Sequence, residues 1–190
     1  TLQFEKILSI DEMKLSDSKR LELLITKIAK EDVKIITRDA VATIYNNDKT
    51  YIRHEVETIQ KDKTECKFIS FGEAKSNKVS YGNYDVSLQG TSFNFSHNNN
   101  DEIQKIHLKF ENYLIPKEYQ SVFAATIATM LYINISIEDI KQSLEKNYII
   151  PKSRSGLFSG IQNTTIIDSS YNASKDSVLA FLSLLKDLKN

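Results

Sequence analysis

The strongest constraint on the fold is a long alternation of apolar and polar residues in the middle of the chain. Every second position is apolar in three successive segments, which contain Tyr84, Val86 and Leu88, then Phe93 and Phe95, then Ile106, Leu108 and Phe110. A period of two places these side chains on one face of a strand. Gly90 and the polar run 98–101 separate the segments. The sequence therefore predicts an antiparallel meander of three strands with one apolar face.

Short apolar runs precede the meander, and helical patterns follow it. The runs 33–36, 41–45 and 67–71 end in polar residues or glycine, which is typical of strands in a parallel sheet. Apolar spacing predicts helices over 17–30, over about 118–132, from residue 136 onward and over 178–188. Residues 152–160 are predicted as a linker because serine and glycine are frequent there, and 164–167 as a strand. Ser136 and Ser174 are expected to be helix N-caps.

Composition bears on the class of function. Lys and Arg together number 25, and so do Asp and Glu, which gives a formal net charge of zero and no support for nucleic-acid binding. No apolar run approaches the roughly 20 residues that span a bilayer. The single cysteine, Cys66, rules out an internal disulfide and fits a reducing compartment.

Two common kinds of site have no sequence pattern in this chain. None of the five glycines precedes a lysine, so the phosphate-binding loop with its Gly-Lys pair is missing. His54, His97 and His107 share no ligand-like spacing, and we assign no metal ligand. His107 is expected to be an exposed strand histidine and Cys66 a partly buried thiol. No catalytic residue is identified by this search.

A strand, a polar turn and a helix follow one another near the C-terminal end. The apolar pair 166–167 leads into Asp168-Ser169-Ser170-Tyr171-Asn172-Ala173-Ser174, and an apolar helical pattern comes next. Proteins of the α/β class place ligand-binding groups at such strand ends. Arg154 precedes Asp168 by fourteen positions. The pattern predicts a ligand site at this turn.

These residues resemble a signature of the Mur ligases, the ATP-dependent amide-bond formers of peptidoglycan synthesis. In the branch that adds D-alanyl-D-alanine to the UDP-MurNAc-tripeptide, a Pro and a Gly-Arg pair precede an Asp-Asp-Ser-Tyr-Asn-Ala-Asn-Pro run. The counterparts here are Pro151, Arg154 and 168–174, with the same spacing from Arg to Asp. Further family elements resemble Tyr45-Asn46-Asn47-Asp48, Gly90-Thr91-Ser92-Phe93 and Ala124-Ala125, so the likeness covers about residues 41–190.

The resemblance implies a fold and a function. Residues 1–148 would be the later part of a central ATPase domain, with parallel strands, the meander and helices. Residues 149–190 would begin a Rossmann-like C-terminal domain, with the boundary near 147–151. The full-length protein would use ATP and Mg²⁺ to phosphorylate a carboxylate, and an amine would displace the phosphate. UDP-MurNAc-peptide and D-alanyl-D-alanine would be its substrates, and we expect a cytoplasmic monomer that acts in cell-wall synthesis, cell shape and cell division.

The resemblance also assigns nucleotide contacts near the C-terminal turn. Arg154 would neutralise phosphate charge, while Asp168, Tyr171 and Asn172 would hold the ribose and orient the C-terminal domain. Other interpretations remain open for each residue. Arg154 fits a solvated linker cation, and the turn residues fit a helix entry.

Three more residues are expected near the nucleotide. Ser121 stands at the position of the second Asn in the family's His-Asn-x-x-Asn element, and Asn46 and Asp48 follow a strand. Turn formation explains Asn46 and Asp48 equally well.

The chain departs from the family pattern at several positions. Ser169 replaces the second Asp of the turn, and Lys117 and Glu118 replace the His and first Asn of the adenine-side element. Lys19 is the nearest counterpart of the lysine that the family carbamylates to hold magnesium. The phosphate loop is expected before Thr1 and the remaining C-terminal sheet after Asn190, so the isolated chain is expected to be an inactive fragment.

Two other functions stay open. The chain could belong to a degenerate, non-catalytic Mur-like protein that binds or scaffolds, which the replaced residues favour. It could also come from another ligase of the superfamily, such as the folylpolyglutamate type, although the Tyr171-Asn172-Ala173 turn argues against this.

Overall fold

The computed structural model describes residues 41–62, 66–99, 102–149, 154, 156–171 and 174–188. The chain divides into two compact units, residues 1–69 and 70–190. The predicted helix over 17–30, with Lys19, and the predicted strand over 33–36 lie outside the described residues, as do Pro151 and Asn172. The boundary expected near 147–151 stays a prediction.

The first unit contains two predicted strands and a helix that was not predicted. Strand β1 spans Ala42–Asn46, helix α1 spans Thr50–Asp62, and strand β2, Lys67–Gly72, begins in this unit. The backbone N–H of Lys67 donates to the carbonyl of Val41 at 3.1 Å. Helix α1 buries only Val56 and Ile59, a stripe narrow enough to be missed in a polar segment.

The second unit confirms the predicted meander. One expectation within it is wrong: Leu88 lies just beyond the first strand of the meander and is 37% exposed, so it is not on the buried face. Strands β3 (Val79–Ser87), β4 (Gly90–Asn99) and β5 (Glu102–Glu111) pair antiparallel in sequence order. The end of β2 pairs parallel with β3, so the sheet mixes parallel and antiparallel neighbours. In β5 the apolar side chains Ile106, Leu108 and Phe110 are buried, and the residues between them are exposed. His107 is one of these exposed residues, as expected.

The β3–β4 connection depends on a glycine. Gly90 has φ +140°, a conformation that L side chains rarely adopt, and a Cβ at this position would collide with the carbonyl oxygen of Phe110. The close approach of β4 to β5 explains why the Gly90–Phe93 element begins with glycine.

Two helices cover the sheet of the second unit. Helix α2 (Tyr119–Tyr132) packs against β3, and helix α3 (Ile137–Asn147) packs against β5. Phe93, Phe110 and Phe123 meet at ring-centroid distances of 5.0–6.0 Å and form the centre of the core. The predicted cap of α3 is confirmed, because Ser136 Oγ accepts from the Asp139 backbone N–H at 3.1 Å.

A hairpin and a last helix complete the second unit. Strands β6 (Gly156–Ser159) and β7 (Thr165–Asp168) pair antiparallel, and helix α4 spans Lys175–Asp187. The linker prediction is therefore wrong over 156–159, where pairing with β7 overrides a composition rich in glycine and serine. Ser174 caps α4, accepting from the Ser177 backbone N–H at 3.2 Å, and the helix begins three residues before the predicted start at Val178.

A small apolar cluster attaches the hairpin and α4 to the meander. Val86 of β3, Leu114 and Leu184 of α4 are each at most 1% exposed. Leu157 of β6 and Ile167 of β7 pack against them. The strand-turn-helix predicted from sequence is thus held beside the residues that precede α2.

Buried His97 gives the first testable prediction. Its side chain is 9% exposed, and Nδ1 lies 3.3 Å from Gln104 Oε1. Burial lowers the pKa of His97, and the Lys78 charge lowers it further, although the Gln104 hydrogen bond raises it. The unfolded chain then takes up the proton first as pH falls. The stabilisation is complete above the unfolded pKa of about 6.5 and decreases as pH falls through that value toward the folded pKa.

We therefore expect the free energy of unfolding, measured with urea, to decrease between pH 7.5 and pH 5.5. His97→Gln should reduce this decrease. An undiminished pH dependence in His97→Gln would contradict the assignment.

Candidate functional site

Arg154, a predicted nucleotide contact, is held beside the start of α2 by the hydrogen bonds of Thr91 and by a β-bridge. Buried Thr91 donates through Oγ1 to the Tyr113 carbonyl and accepts from the Ile115 backbone N–H, both at 2.9 Å. Tyr113 in turn forms an antiparallel bridge with Gly156. Because Arg154 lies two residues before Gly156, the bridge holds it near the segment that leads into α2.

A cleft of about 350 Å³ lies at this meeting point. Four parts of the second unit line it: the residues before and at the start of α2, Arg154, the turn after β7 and the first turns of α4. Its polar and aromatic lining includes Glu118, Tyr119, Arg154, Ser169, Tyr171, Ser174, Asp176, Ser177 and Phe181. The volume is in the lower part of the usual range for small-molecule sites, about 300–1,000 Å³.

Arg154 and Tyr171 are in direct contact inside this cleft. The guanidinium carbon of Arg154 lies over the Tyr171 ring, 4.4 Å from its centroid. Tyr171 is 60% exposed, and Arg154 is exposed as well. A cation–π contact at an exposed position contributes about 0.5–1 kcal/mol. The structure thus brings together two residues that the sequence assigned to one site.

Asp168 lies in an adjoining cleft of about 320 Å³, which shares Ser169, Ser177 and Phe181 with the first. Its Oδ1 accepts from the Ser170 backbone N–H at 3.0 Å and from the Ser170 hydroxyl at 2.7 Å. These bonds shape the turn that carries Tyr171. Asp168 therefore has a turn-forming contact, as polar residues after strands often do.

The remaining predicted residues have local contacts. Ser121 donates from Oγ to the Glu118 carbonyl at 2.9 Å in the first turn of α2, and it does not line the cleft. In the first unit, Asn46 Oδ1 accepts from the Asp48 backbone N–H at 2.9 Å, which is a side-chain turn.

The cleft has the chemistry to hold part of a nucleotide. Arg154 offers N–H donors that suit phosphate oxygens. Tyr119 and Tyr171 supply aromatic rings at its wall, and Glu118 and Asp176 supply acceptors. Among the described lining residues, two carboxylates stand against one arginine, which suits a base or ribose better than the whole triphosphate. Sequence reasoning had not assigned Tyr119, Asp176, Ser177 or Phe181 to a site, although Tyr119 directly follows the replaced His-Asn pair.

A second, larger cleft of about 600 Å³ contains none of the predicted nucleotide contacts that the structure describes. Its lining includes Glu73, Asp85, Lys117, Asp187 and Tyr84, whose pKa is raised mainly by burial and further by the neighbouring carboxylates. Tyr84 donates its hydroxyl to the Ile115 carbonyl at 3.0 Å, a structural contact. We place the candidate site in the smaller cleft because the Arg154–Tyr171 contact lies there.

Comparison with solved structures identifies the fold. The chain is similar to a UDP-N-acetylmuramoylalanyl-D-glutamyl-2,6-diaminopimelate–D-alanyl-D-alanyl ligase from Acinetobacter baumannii (TM-score 0.58, 19% identity, 78% of this chain and 30% of that chain). It is also similar to the MurF ligase from Thermotoga maritima in complex with ADP (0.57, 16%, 90% and 35%). A third similar structure is the UDP-N-acetylmuramate-alanine ligase MurC from Thermotoga maritima (0.62, 14%, 92% and 36%).

The chain therefore has the fold of the Mur ligases, and it spans about a third of the length of these neighbours. No protein-family model matches the sequence, and no curated protein matches it. Among the described residues, no helix is long and apolar enough to cross a membrane.

Proposed function

We propose, from the fold that the chain shares with the Mur ligases, that it is part of an ATP-dependent amide ligase of peptidoglycan precursor synthesis. Its substrates would be UDP-MurNAc-tripeptide and D-alanyl-D-alanine. The observation that carries the proposal is the contact of Arg154 with Tyr171 in a cleft at the start of α2. Both residues belong to the motif that resembles the D-alanyl-D-alanine-adding branch. The ADP-bound state of one structural neighbour supports an adenine nucleotide as cofactor.

The predicted nucleotide contacts have separate roles in this proposal. Bound ATP supplies the phosphate that activates the substrate carboxylate. Arg154 binds and neutralises phosphate oxygens through its paired N–H donors. Asp168 and Asn172 hold the ribose, and Tyr171 takes part through its contact with Arg154. The Asp168–Ser170 hydrogen bonds keep the turn that carries Tyr171 in shape. Ser121 is a further nucleotide contact in this proposal. Asn46 and Asp48 belong to the first unit and keep the nucleotide-binding role that the resemblance implies for them.

The proposal extends to magnesium, location and oligomeric state. Within the described part of the chain, no three His, Cys, Asp or Glu side chains converge as a metal site. Magnesium binding thus rests on the resemblance, with Lys19 as the candidate lysine outside the described residues. We propose that the full-length enzyme is a cytoplasmic monomer, with roles in cell shape and division.

Exposed apolar side chains support a C-terminal domain that begins near residue 149. Val178, Leu179, Leu182 and Leu185 of α4 are 42–56% exposed, although the helix is rich in apolar residues. In the part of the chain that the structure describes, the sheet formed by β6 and β7 has two strands, which is marginal for independent stability. Further strands of a Rossmann-like domain would cover these side chains.

A second candidate function is a degenerate, non-catalytic Mur-like binding or scaffold protein. Glu118 favours it, because a carboxylate accepts hydrogen bonds but cannot donate one as an asparagine amide does. Lys117 and Ser169 replace two more polar residues of the family pattern. An intact Gly-Lys-Ser/Thr loop in the sequence before Thr1 would favour the enzyme over this candidate.

An ATP-binding titration tests the proposed function. We expect the full-length protein to bind ATP at micromolar concentration and to join D-alanyl-D-alanine to UDP-MurNAc-tripeptide. The 190-residue chain alone should bind ATP far more weakly, because positioning of the phosphates needs the missing loop. Full-length protein that binds ATP without ligating would support the non-catalytic candidate. Absence of ATP binding would reject the enzyme, and micromolar affinity of the isolated chain would contradict its expected inactivity.

A further inference from the structure

We propose that Tyr171 is a positioning residue, whose ring holds the Arg154 guanidinium at the mouth of the cleft so that its N–H donors meet an anionic ligand. The inference rests on the proposed function for the identity of that ligand, the phosphate groups of ATP. It gives Tyr171 a role that acts through Arg154 and not through its own hydroxyl.

The geometry favours the ring as the functional part of Tyr171. The Arg154 guanidinium carbon lies over the ring at 4.4 Å from the centroid. A guanidinium carries five N–H groups in a fixed planar fork, more than one ring contact can engage, so donors remain available to acceptors beyond the ring. An exposed arginine would otherwise sample many rotamers, and ordering it on ligand binding would cost side-chain entropy.

The charge of Arg154 also acts on a second aromatic residue, Tyr148. Burial raises the pKa of Tyr148, the Tyr119 phenol raises it further, and the Arg154 charge lowers it. The Tyr148 ring packs on Phe123 of α2 at 5.3 Å between centroids. Arg154 lines the same cleft as Glu118 and Tyr119 at the start of α2, while Tyr171 contacts it from the turn side.

Tyr171 is itself placed by bonded neighbours. Asp168 Oδ1 fixes Ser170 through two hydrogen bonds, and Ser174 caps α4 immediately after the turn. Tyr171 thus directly follows a residue whose backbone N–H and hydroxyl are both held by Asp168. A ring that already contacts the guanidinium lowers the entropy cost of placing a long cationic side chain.

The first experiment needs no nucleotide. In the ligand-free 190-residue chain, the Tyr171 ring current should shift the NMR signals of the Arg154 δ-methylene protons upfield. Tyr171→Phe should keep the shift because the ring remains, and Tyr171→Leu should abolish it. An Arg154 signal that is the same in wild type and Tyr171→Leu would overturn the inference.

The second experiment measures ATP affinity in the full-length protein. From the usual size of exposed cation–π contacts, Tyr171→Leu should weaken binding roughly two- to fivefold, and Tyr171→Phe should bind as wild type. In an Arg154→Ala background, Tyr171→Leu should have no further effect, since its action passes through Arg154.

The outcomes separate the inference from the proposed function. A defect in Tyr171→Phe equal to that of Tyr171→Leu, or a Tyr171→Leu defect that persists without Arg154, would overturn the positioning role. If wild-type protein shows the upfield shift but binds no ATP, the contact is real, while the proposed function and the role toward phosphate both fail.

Discussion

Replacing Phe93 by alanine is expected to lower the free energy of unfolding by about 3–5 kcal/mol, the usual range for a fully buried phenylalanine. Phe93 is 0% exposed and lies within 6.4 Å, between ring centroids, of four aromatic rings: Tyr84, Phe95, Phe110 and Phe123. It joins the meander to α2, so truncation removes contacts on both layers. Urea unfolding followed by circular dichroism measures the change.

Phe158→Ala is the matched control for this prediction. The same side chain is removed, but Phe158 is 52% exposed on the short strand β6. We expect the free energy of unfolding to fall by about 1 kcal/mol or less, as for most substitutions away from the core. Equal losses for the two variants would show that the core is not centred on Phe93.

The meander could be predicted because each strand has one buried face. When burial is one-sided, the apolar residues must recur every second position, and a shift of one residue would expose them all. Ile106, Leu108 and Phe110 meet this condition in β5. The helix caps Ser136 and Ser174 were also predictable, because a hydroxyl that bonds the first turn is a local feature.

Strand β6 and helix α1 could not be predicted in the same way. Strand β6 has four residues, and its pairing with β7 is a tertiary interaction that composition does not encode. Its apolar pair, Leu157 and Phe158, is too short for a period to be visible. In α1 the two buried residues are three positions apart among charged and polar side chains, so the helical stripe is sparse.

Arg154 and the turn with Tyr171 were predicted as members of one site, but their contact and most of the other lining residues were not. Spacing and resemblance placed Arg154 with the turn residues, yet neither could specify that the guanidinium lies on the Tyr171 ring. That geometry depends on Thr91 and the Tyr113–Gly156 bridge, which belong to the meander and its exit. The acidic lining was not predictable either. Glu118 and Asp176 lie at the starts of two helices, α2 and α4, and the tertiary structure brings both to the same cleft.

Arg154→Ala in the full-length protein is expected to lower kcat/KM for ATP roughly tenfold to a hundredfold, the size expected for losing hydrogen bonds to a charged group. Of the cleft residues that the structure describes, Arg154 supplies the cation, beside the two carboxylates of Glu118 and Asp176. Its removal leaves phosphate oxygens facing negative charge. Steady-state ligation kinetics at varied ATP concentration measure the loss.

Two further substitutions make the Arg154 prediction specific. Arg154→Lys keeps the charge but loses the paired donors, so it should recover only part of the activity. Lys186→Ala removes an exposed cation from the last turn of α4 and should leave ligation unchanged.

Asp168→Ala should also slow ligation, because it releases Ser170 and the turn that carries Tyr171. If Arg154→Ala and Asp168→Ala both ligate at the wild-type rate, the nucleotide does not bind in this cleft.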